Sequence, residues 1–215
     1  MNDHVAAALE PIMERIREGL ADKHRAREES LSLCRDALRH SANAVRAVHR
    51  GDFEEADRLI HEARTLLDGA TRALEKHPDI YYAGFVHDAK KEYAEACLTL
   101  AVIAGRPIPR PEDIDVEIQA YLNGMGEAVG ELRRHLLDQL RHGAIDRCEQ
   151  ILAVMDEMYG YLVTFDYPDA LTAGLRRTTD AVRGILERTR GDFTVGARQW
   201  ELEAKLAEFA AKFRV

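Results

Sequence analysis

The sequence predicts an all-α protein, a single domain over residues 1–215 with about seven antiparallel helices. Apolar residues recur at helical spacing along almost the whole chain. The six prolines and fourteen glycines lie mostly at the ends of these periodic segments, where they stop or start helices. The segments are joined by short loops, as in a bundle whose neighbouring helices run antiparallel.

Turn residues divide the chain into these helices. Gly51-Asp52 ends the first helix, because glycine permits a left-handed turn and aspartate can cap the helix that follows. His77-Pro78-Asp79 breaks the second helix from the third, and Gly191-Asp192 repeats the Gly-Asp pattern between the last two. The first helix is expected to be broken or restarted near Glu10-Pro11 or Gly19. The expected spans are about residues 3–49, 53–75, 80–104, 114–141, 145–164, 167–190 and 191–212.

Charge, cysteines and hydropathy narrow the class of protein. The formal net charge of −8 excludes a broadly basic coat protein, although a local basic patch can still bind nucleic acid. Cys34, Cys97 and Cys148 are far apart and form no CxxC pair, which indicates reduced, buried thiols in a cytoplasmic protein. Neither a signal peptide nor an apolar run of about 18 residues is visible, so no membrane partner is expected.

Four arginines form a stripe on the first long helix. Arg35, Arg39, Arg46 and Arg50 follow at spacings of four, seven and four, so they share one face, and His49 lies at its edge. The stripe spans roughly 22 Å at 1.5 Å per residue, enough to follow several phosphates of an extended strand. A solvated face paired with neighbouring helices is the alternative interpretation. The apolar stripe opposite consists of Cys34, Leu38, Ser41, Val45 and Val48.

Two pairs of carboxylates are the candidate catalytic residues. Glu92 and Glu95 are three residues apart on the third predicted helix, and Glu127 and Glu131 are four apart on the fourth. Each pair therefore falls on one side of its helix. If the helices cross near these points, four carboxylates converge and need a cation, and oxygen ligands favour Mg²⁺, Mn²⁺ or Ca²⁺. The alternatives are a solvated helix edge and pairing with neighbouring arginines.

Three glycines near the second pair bear on that choice. Gly124, Gly126 and Gly130 lie within two turns of one helix. Each costs about 1 kcal/mol relative to alanine, which is tolerated where another backbone or a ligand approaches closely. The flank beside Glu127 and Glu131 is therefore expected to be covered, and carboxylates buried there need partners. Arg133 and Arg134 or a metal are the candidates.

Several stretches together resemble the translin and translin-associated factor X (Trax) family, in its archaeal Trax-like members. The resemblance covers nearly the whole chain. It rests on residues 41–52, Glu92-Tyr-Ala-Glu-Ala96, residues 121–134, and residues 169–180 with 183–192. It implies a seven-helix subunit of a hollow octamer that binds single-stranded RNA or DNA. In the Trax branch it also implies metal-dependent endoribonuclease activity inside the shell.

The acidic pattern of the Trax branch is Glu-x-x-Glu on one helix and acidic-x-x-x-Glu on another. Glu92, Glu95, Glu127 and Glu131 match it and are the expected ligands of Mg²⁺ or Mn²⁺. Eukaryotic members usually have aspartate where this chain has Glu127, so its longer side chain leaves metal preference open. The resemblance implies phosphodiester hydrolysis at this site.

Two other functions remain open. One is a non-catalytic subunit that binds single strands, with its glutamates paired to arginines. The other is a structural subunit that needs a second, translin-like chain. The apolar residues after Trp200, which are Leu202, Leu206, Phe209 and Phe213, offer an assembly surface for either kind of partner.

Overall fold

Helices account for all the regular secondary structure in residues 2–212, the part of the chain that the computed structural model describes, with side chains from Val5 onward. This confirms the all-α, single-domain prediction. Within that range there are eight helices: α1 (Asn2–His49), α2 (Phe53–Ala73), α3 (Pro78–Tyr81), α4 (Phe85–Ile103), α5 (Ile118–Arg141), α6 (Ile145–Leu162), α7 (Asp169–Thr172) and α8 (Leu175–Lys212).

The long helices form three layers with α4 and α5 in the middle. Helices α1 and α2 pack against one side of α4, and α6 and α8 pack against α5. Helix α4 is buried on nearly every side and carries a nearly continuous apolar sequence from Ala96 to Ile103. Because the inner pair is covered on both faces, any polar group on α4 or α5 that points between layers is held away from bulk water.

Two predicted helix breaks are wrong. Helix α1 continues through Pro11 and Gly19. A proline removes one backbone hydrogen bond, and neither residue takes the left-handed backbone that would end a helix. Helix α8 likewise continues through Gly191-Asp192. The Asp192 carboxylate does not cap a new helix, because it accepts a hydrogen bond from Arg133 Nη2 at 2.6 Å.

Other boundaries shift for local reasons. The third predicted helix is a single turn, α3, followed by α4, which starts after Gly84 at a φ of 104°. The sixth is split at Ala173 and Gly174, with φ of 50° and 81°, into the single turn α7 and the first part of α8, which also takes in the seventh. The seven expected helices are therefore six long ones and two single turns in the described range.

Both ends of the chain carry exposed apolar residues. Leu202, Leu206 and Phe209 lie on the exposed end of α8, while Phe213 of the predicted surface lies outside the described residues. The beginning of α1 is exposed in the same way. All three cysteines are free and buried, as predicted. No helix within residues 2–212 combines the length and apolarity needed to cross a membrane.

Candidate active site

Helices α4 and α5 touch backbone to backbone at Gly124. A Cβ placed on Gly124 would lie 2.6 Å from the Lys91 carbonyl oxygen, 2.9 Å from the Ala94 Cβ and 3.0 Å from the Glu95 nitrogen. Only glycine permits this approach. The glycines therefore do mark a covered flank at this position, and the close crossing carries Glu92 and Glu95 towards Glu127, one turn after Gly124.

Three of the four predicted carboxylates meet at this crossing. Glu92, Glu95 and Glu127 each offer an oxygen that lies within 4.8 Å of the other two. Glu131 is not part of that cluster, because its Oε2 lies 2.5 Å from His49 Nε2 and 3.7 Å from Arg134 Nη1. Glu131 shares a pocket of about 170 Å³, here called the acidic pocket, with Glu92 and Glu95, whereas Glu127 does not line it. The lining consists of Ser41, Ala42, Val45, Arg46, Glu92, Glu95, Glu131 and Arg134.

Two of the clustered carboxylates, Glu92 and Glu95, have raised pKa values. Burial, together with the charges of Glu92, Glu127 and Glu131, raises the pKa of Glu95 to about 8. Burial and the charge of Glu127 also raise the pKa of Glu92. The pKa of Glu131 is lowered, because its carboxylate is hydrogen-bonded to His49. The site therefore favours a proton or a cation between Glu92, Glu95 and Glu127.

Lys91 supplies a cation that sequence reasoning missed. Its Nζ lies 2.5 Å from Glu127 Oε1 and 3.7 Å from Glu92 Oε1. Burial alone would lower the pKa of Lys91, but the hydrogen bond to Glu127 and the nearby carboxylates raise it above its ordinary value. The one sequence signal for this role was the position of Lys91 directly before Glu92, on the helix that crosses α5. Of the two arginines expected to pair with the glutamates, Arg134 approaches Glu131, whereas Arg133 binds Thr189 and Asp192.

The donor set fits a divalent cation. All three clustered ligands are carboxylate oxygens, which suit Mg²⁺ or Mn²⁺ better than softer metals. Lys91 satisfies only one oxygen of Glu127, and the other, Oε2, is buried without a hydrogen-bond partner. The buried hydroxyl of Ser41, which lines the pocket, is also without a partner. Buried polar atoms of this kind are costly unless a ligand or water completes them.

The arginine stripe leads to this pocket. All four arginines are exposed: Arg35, Arg39 and Arg46 on α1, and Arg50 in the turn directly after it. Arg39 is paired with Asp36 at 2.9 Å, and Arg46 donates to Asn43 at 2.5 Å while lining the pocket beside Glu131. The apolar stripe opposite is buried or half-buried, as expected.

His49 does not lie on the exposed arginine face. It follows Arg46 by three residues, which turns it about 60° towards the apolar side of α1. Its side chain is 6% exposed and is bonded to Glu131. The structure therefore places His49 beside the acidic residues and away from a strand that follows the arginines.

The fold and site together define an all-helical protein with a candidate cation site at the crossing of its inner helices and an exposed basic stripe beside it. No protein-family model matches the chain. An uncharacterized protein of Methanocaldococcus jannaschii is 29% identical over 192 residues, 87% of this chain and 83% of the relative.

Solved structures share both fold and sequence. AfC3PO in a complex with duplex RNA is 36% identical, with a TM-score of 0.79, over 86% of this chain and 95% of that one. AfC3PO alone gives 35% identity and a TM-score of 0.78 over 86% and 96%. Apo-NeC3PO, at 22% identity and a TM-score of 0.78 over 86% and 97%, shares the fold. The chain belongs to the translin/Trax family.

Proposed function

We propose that this protein is a metal-dependent endoribonuclease that cleaves single-stranded RNA inside an octameric shell in the cytoplasm. The observation that carries the proposal is the meeting of Glu92, Glu95 and Glu127 at the α4–α5 crossing. An RNA ligand is supported by AfC3PO, a relative of 36% identity that was solved as a complex with duplex RNA.

The residues of the site have different roles in the proposed reaction. Glu92, Glu95 and Glu127 hold Mg²⁺ or Mn²⁺, and Glu131, from the same pocket, supplies the fourth carboxylate. A metal held there would supply Lewis-acid chemistry, which would orient the scissile phosphate, activate a water and offset charge on the phosphoryl oxygens. His49 orients Glu131 through its Nε2, and the covered flank around Gly124 limits the access of bulk water.

The arginine stripe holds the strand that flanks the cleaved bond. Arg35 and Arg50 have no ion-pair partner among the described residues, so their charges are available to phosphates. Arg46 reaches the acidic pocket and connects the stripe to it. Contacts of this kind bind phosphate with little reading of bases. Preference for single strands then comes from access to an enclosed chamber.

Cleavage of labelled RNA tests the proposal. Single-stranded and duplex RNA are incubated with Mg²⁺ or chelator, with wild type and Glu127→Gln, which keeps the size of the side chain. Asp138→Asn is the matched control, because Asp138 lies on the same helix and pairs with Arg141 away from the pocket. Single-strand cleavage that requires both metal and Glu127, and survives Asp138→Asn, is the expected result. Cleavage that survives Glu127→Gln would overturn the assignment of the site.

A non-catalytic, single-strand-binding oligomer subunit is the second candidate. The Lys91–Glu127 ion pair favours it, because this pair neutralises one carboxylate of the cluster without a metal. Such a protein binds single strands equally with metal and with chelator and never cleaves them. Light scattering of the purified chain decides whether it forms an octamer alone or needs a translin-like partner subunit.

A further inference from the structure

A second cavity lies on the other side of the Lys91–Glu127 pair from the acidic pocket. Its volume is about 360 Å³. That is within the range of small-ligand sites, about 300–1,000 Å³. Helices α4 and α5 form two of its walls, and the α7–α8 turn with the first turns of α8 forms the third. Lys91 and Glu127 line this cavity and not the acidic pocket, so a ligand bound here lies next to one member of the acidic cluster, Glu127.

The third wall is fixed in place by a buried asparagine. Asn123 is 3% exposed, and its Nδ2 donates to the carbonyl oxygens of Gln119 and Thr172 at 2.8 and 2.9 Å. Its Oδ1 accepts from Thr178 Oγ1 at 2.6 Å. These bonds join α5 to the end of α7 and the start of α8. The cavity is therefore preformed, and its shape does not depend on a mobile loop.

Arg177 brings an uncommitted positive charge to the rim. Its guanidinium is exposed and has no hydrogen-bond or ion-pair partner among the described residues. Its Nη2 lies 3.9 Å from the position that a Cβ on Gly174 would take, so the group folds back over the α7–α8 turn. Arginine binds phosphate through two parallel N–H donors. Two carboxylates also line the cavity: Glu127, which is paired with Lys91, and the exposed carboxylate of Asp88.

The remaining walls suit the rest of a nucleotide. Burial lowers the pKa of His87, so its ring is neutral near pH 7 and offers one donor and one acceptor. Val182 and Ile185 on α8 form an apolar wall, which can contact a base or ribose. These three features match the parts of one nucleotide. The cation suits the phosphate, the neutral hydrogen-bonding ring suits the polar edge of the base, and the apolar wall suits its flat face.

We propose that this cavity binds the RNA nucleotide next to the scissile phosphate, with Arg177 on its phosphate. The proposal rests on the proposed function in one respect: if Glu127 held a metal, the Lys91 ammonium, which lines the same cavity, would be available as a second phosphate donor. Arg177 is thus a substrate-positioning residue, and the nucleotide group is the ligand whether it belongs to a strand or is free.

The test begins with binding, which does not need cleavage. The full-length protein is titrated calorimetrically with a nucleoside 5′-monophosphate, with the nucleoside and with inorganic phosphate, in chelator. Arg177→Gln is expected to weaken monophosphate binding about tenfold or more, as loss of a charge-assisted phosphate contact does. Arg176→Gln is the matched control, because Arg176 is the exposed neighbouring arginine and does not line the cavity. It is expected to change binding by less than about twofold.

A neutral variant and a kinetic measurement complete the test. Ala181→Tyr fills the cavity without changing charge and should abolish monophosphate binding, with the thermal midpoint checked to confirm folding. In cleavage assays Arg177→Gln should raise KM several-fold more than it lowers kcat. No saturable binding by wild type, an equal loss in Arg176→Gln, or inorganic phosphate binding as tightly as the monophosphate would each overturn the proposal. If the protein binds nucleotide through Arg177 but never cleaves RNA, the nuclease proposal is refuted and the cavity assignment stands.

Discussion

Replacing Glu95 by glutamine should stabilise the metal-free protein, and more so at high pH. Glu95 has a folded-state pKa of about 8, compared with 4.5 for an unperturbed glutamate. As pH rises from about 4.5, the unfolded chain loses this proton before the folded protein does. Each pH unit in that window therefore lowers the free energy of unfolding by about 1.4 kcal/mol. Glutamine resembles the protonated acid in shape and removes the ionisation.

The size of the effect follows from the same pKa. The accumulated cost of Glu95 is about 2 kcal/mol at about pH 6 and at most about 4 kcal/mol at about pH 8. The difference between these two conditions, about 2 kcal/mol, corresponds to a shift in thermal midpoint of about 4–8 °C for a chain of this length. Glu95→Gln should therefore melt above wild type, with a gap that widens by this amount from pH 6 to pH 8.

Thermal unfolding followed by circular dichroism in chelator measures this gap. Glu149→Gln is the control, since Glu149 is exposed and has no ion pair among the described residues. Adding Mn²⁺ should reverse the order of wild type and Glu95→Gln, because only wild type keeps the complete cluster and ligand binding stabilises the folded state. A gap between wild type and Glu95→Gln that is the same at pH 6 and pH 8 would refute the reasoning.

Three further predictions concern the crossing, the arginine stripe and proton release. Gly124→Ala should destabilise the protein by about 1–3 kcal/mol and weaken Mn²⁺ binding, because the new Cβ meets the α4 backbone at 2.6 Å. Gly130→Ala is the control for the same melting and binding assays, and it should be tolerated because its nearest contact is at 4.0 Å. Replacing Arg35 and Arg50 by glutamate should weaken single-strand binding. The slope of the logarithm of the binding constant against the logarithm of salt concentration should flatten by about one unit or more per lost phosphate contact. An unchanged slope would mean that the stripe is only a solvated face. Metal binding near pH 7 should release close to one proton in wild type and none from this position in Glu95→Gln, which calorimetry in buffers of different ionisation enthalpy measures.

The helices and the acidic cluster could be predicted because their signals are local. Apolar periodicity and the three- and four-residue spacings of the glutamates determine faces of single helices. Gly124 carried long-range information as well, since its cost is explained by the α4 backbone that comes close to it, whereas Gly130 has no such neighbour. Gly191-Asp192 misled because a local cap signal competed with a tertiary bond from Arg133.

Partners of the site residues could not be predicted, because they depend on which helices become neighbours. The sequence places Lys91 next to Glu92, but only the α4–α5 crossing puts its ammonium on Glu127. From its sequence position, His49 is expected at the edge of the basic face, but in the fold its side chain is bonded to Glu131 of α5. When a residue lies at the border between the apolar and polar faces of a helix, the helix that packs over it decides which groups its side chain contacts.

The negative charges of Glu127, Glu131 and Glu95 are balanced in three different ways, and each has a consequence for function. Glu127 is neutralised by Lys91, Glu131 is bonded to His49, and Glu95 keeps a proton near pH 7 because its pKa is about 8. A divalent cation bound by these oxygens would take the place of both the proton and the ammonium. The released ammonium would remain in the wall of the adjacent cavity, which Lys91 lines. Metal binding then moves positive charge to where a phosphate is proposed to lie, so affinity for nucleotide and affinity for metal should rise together.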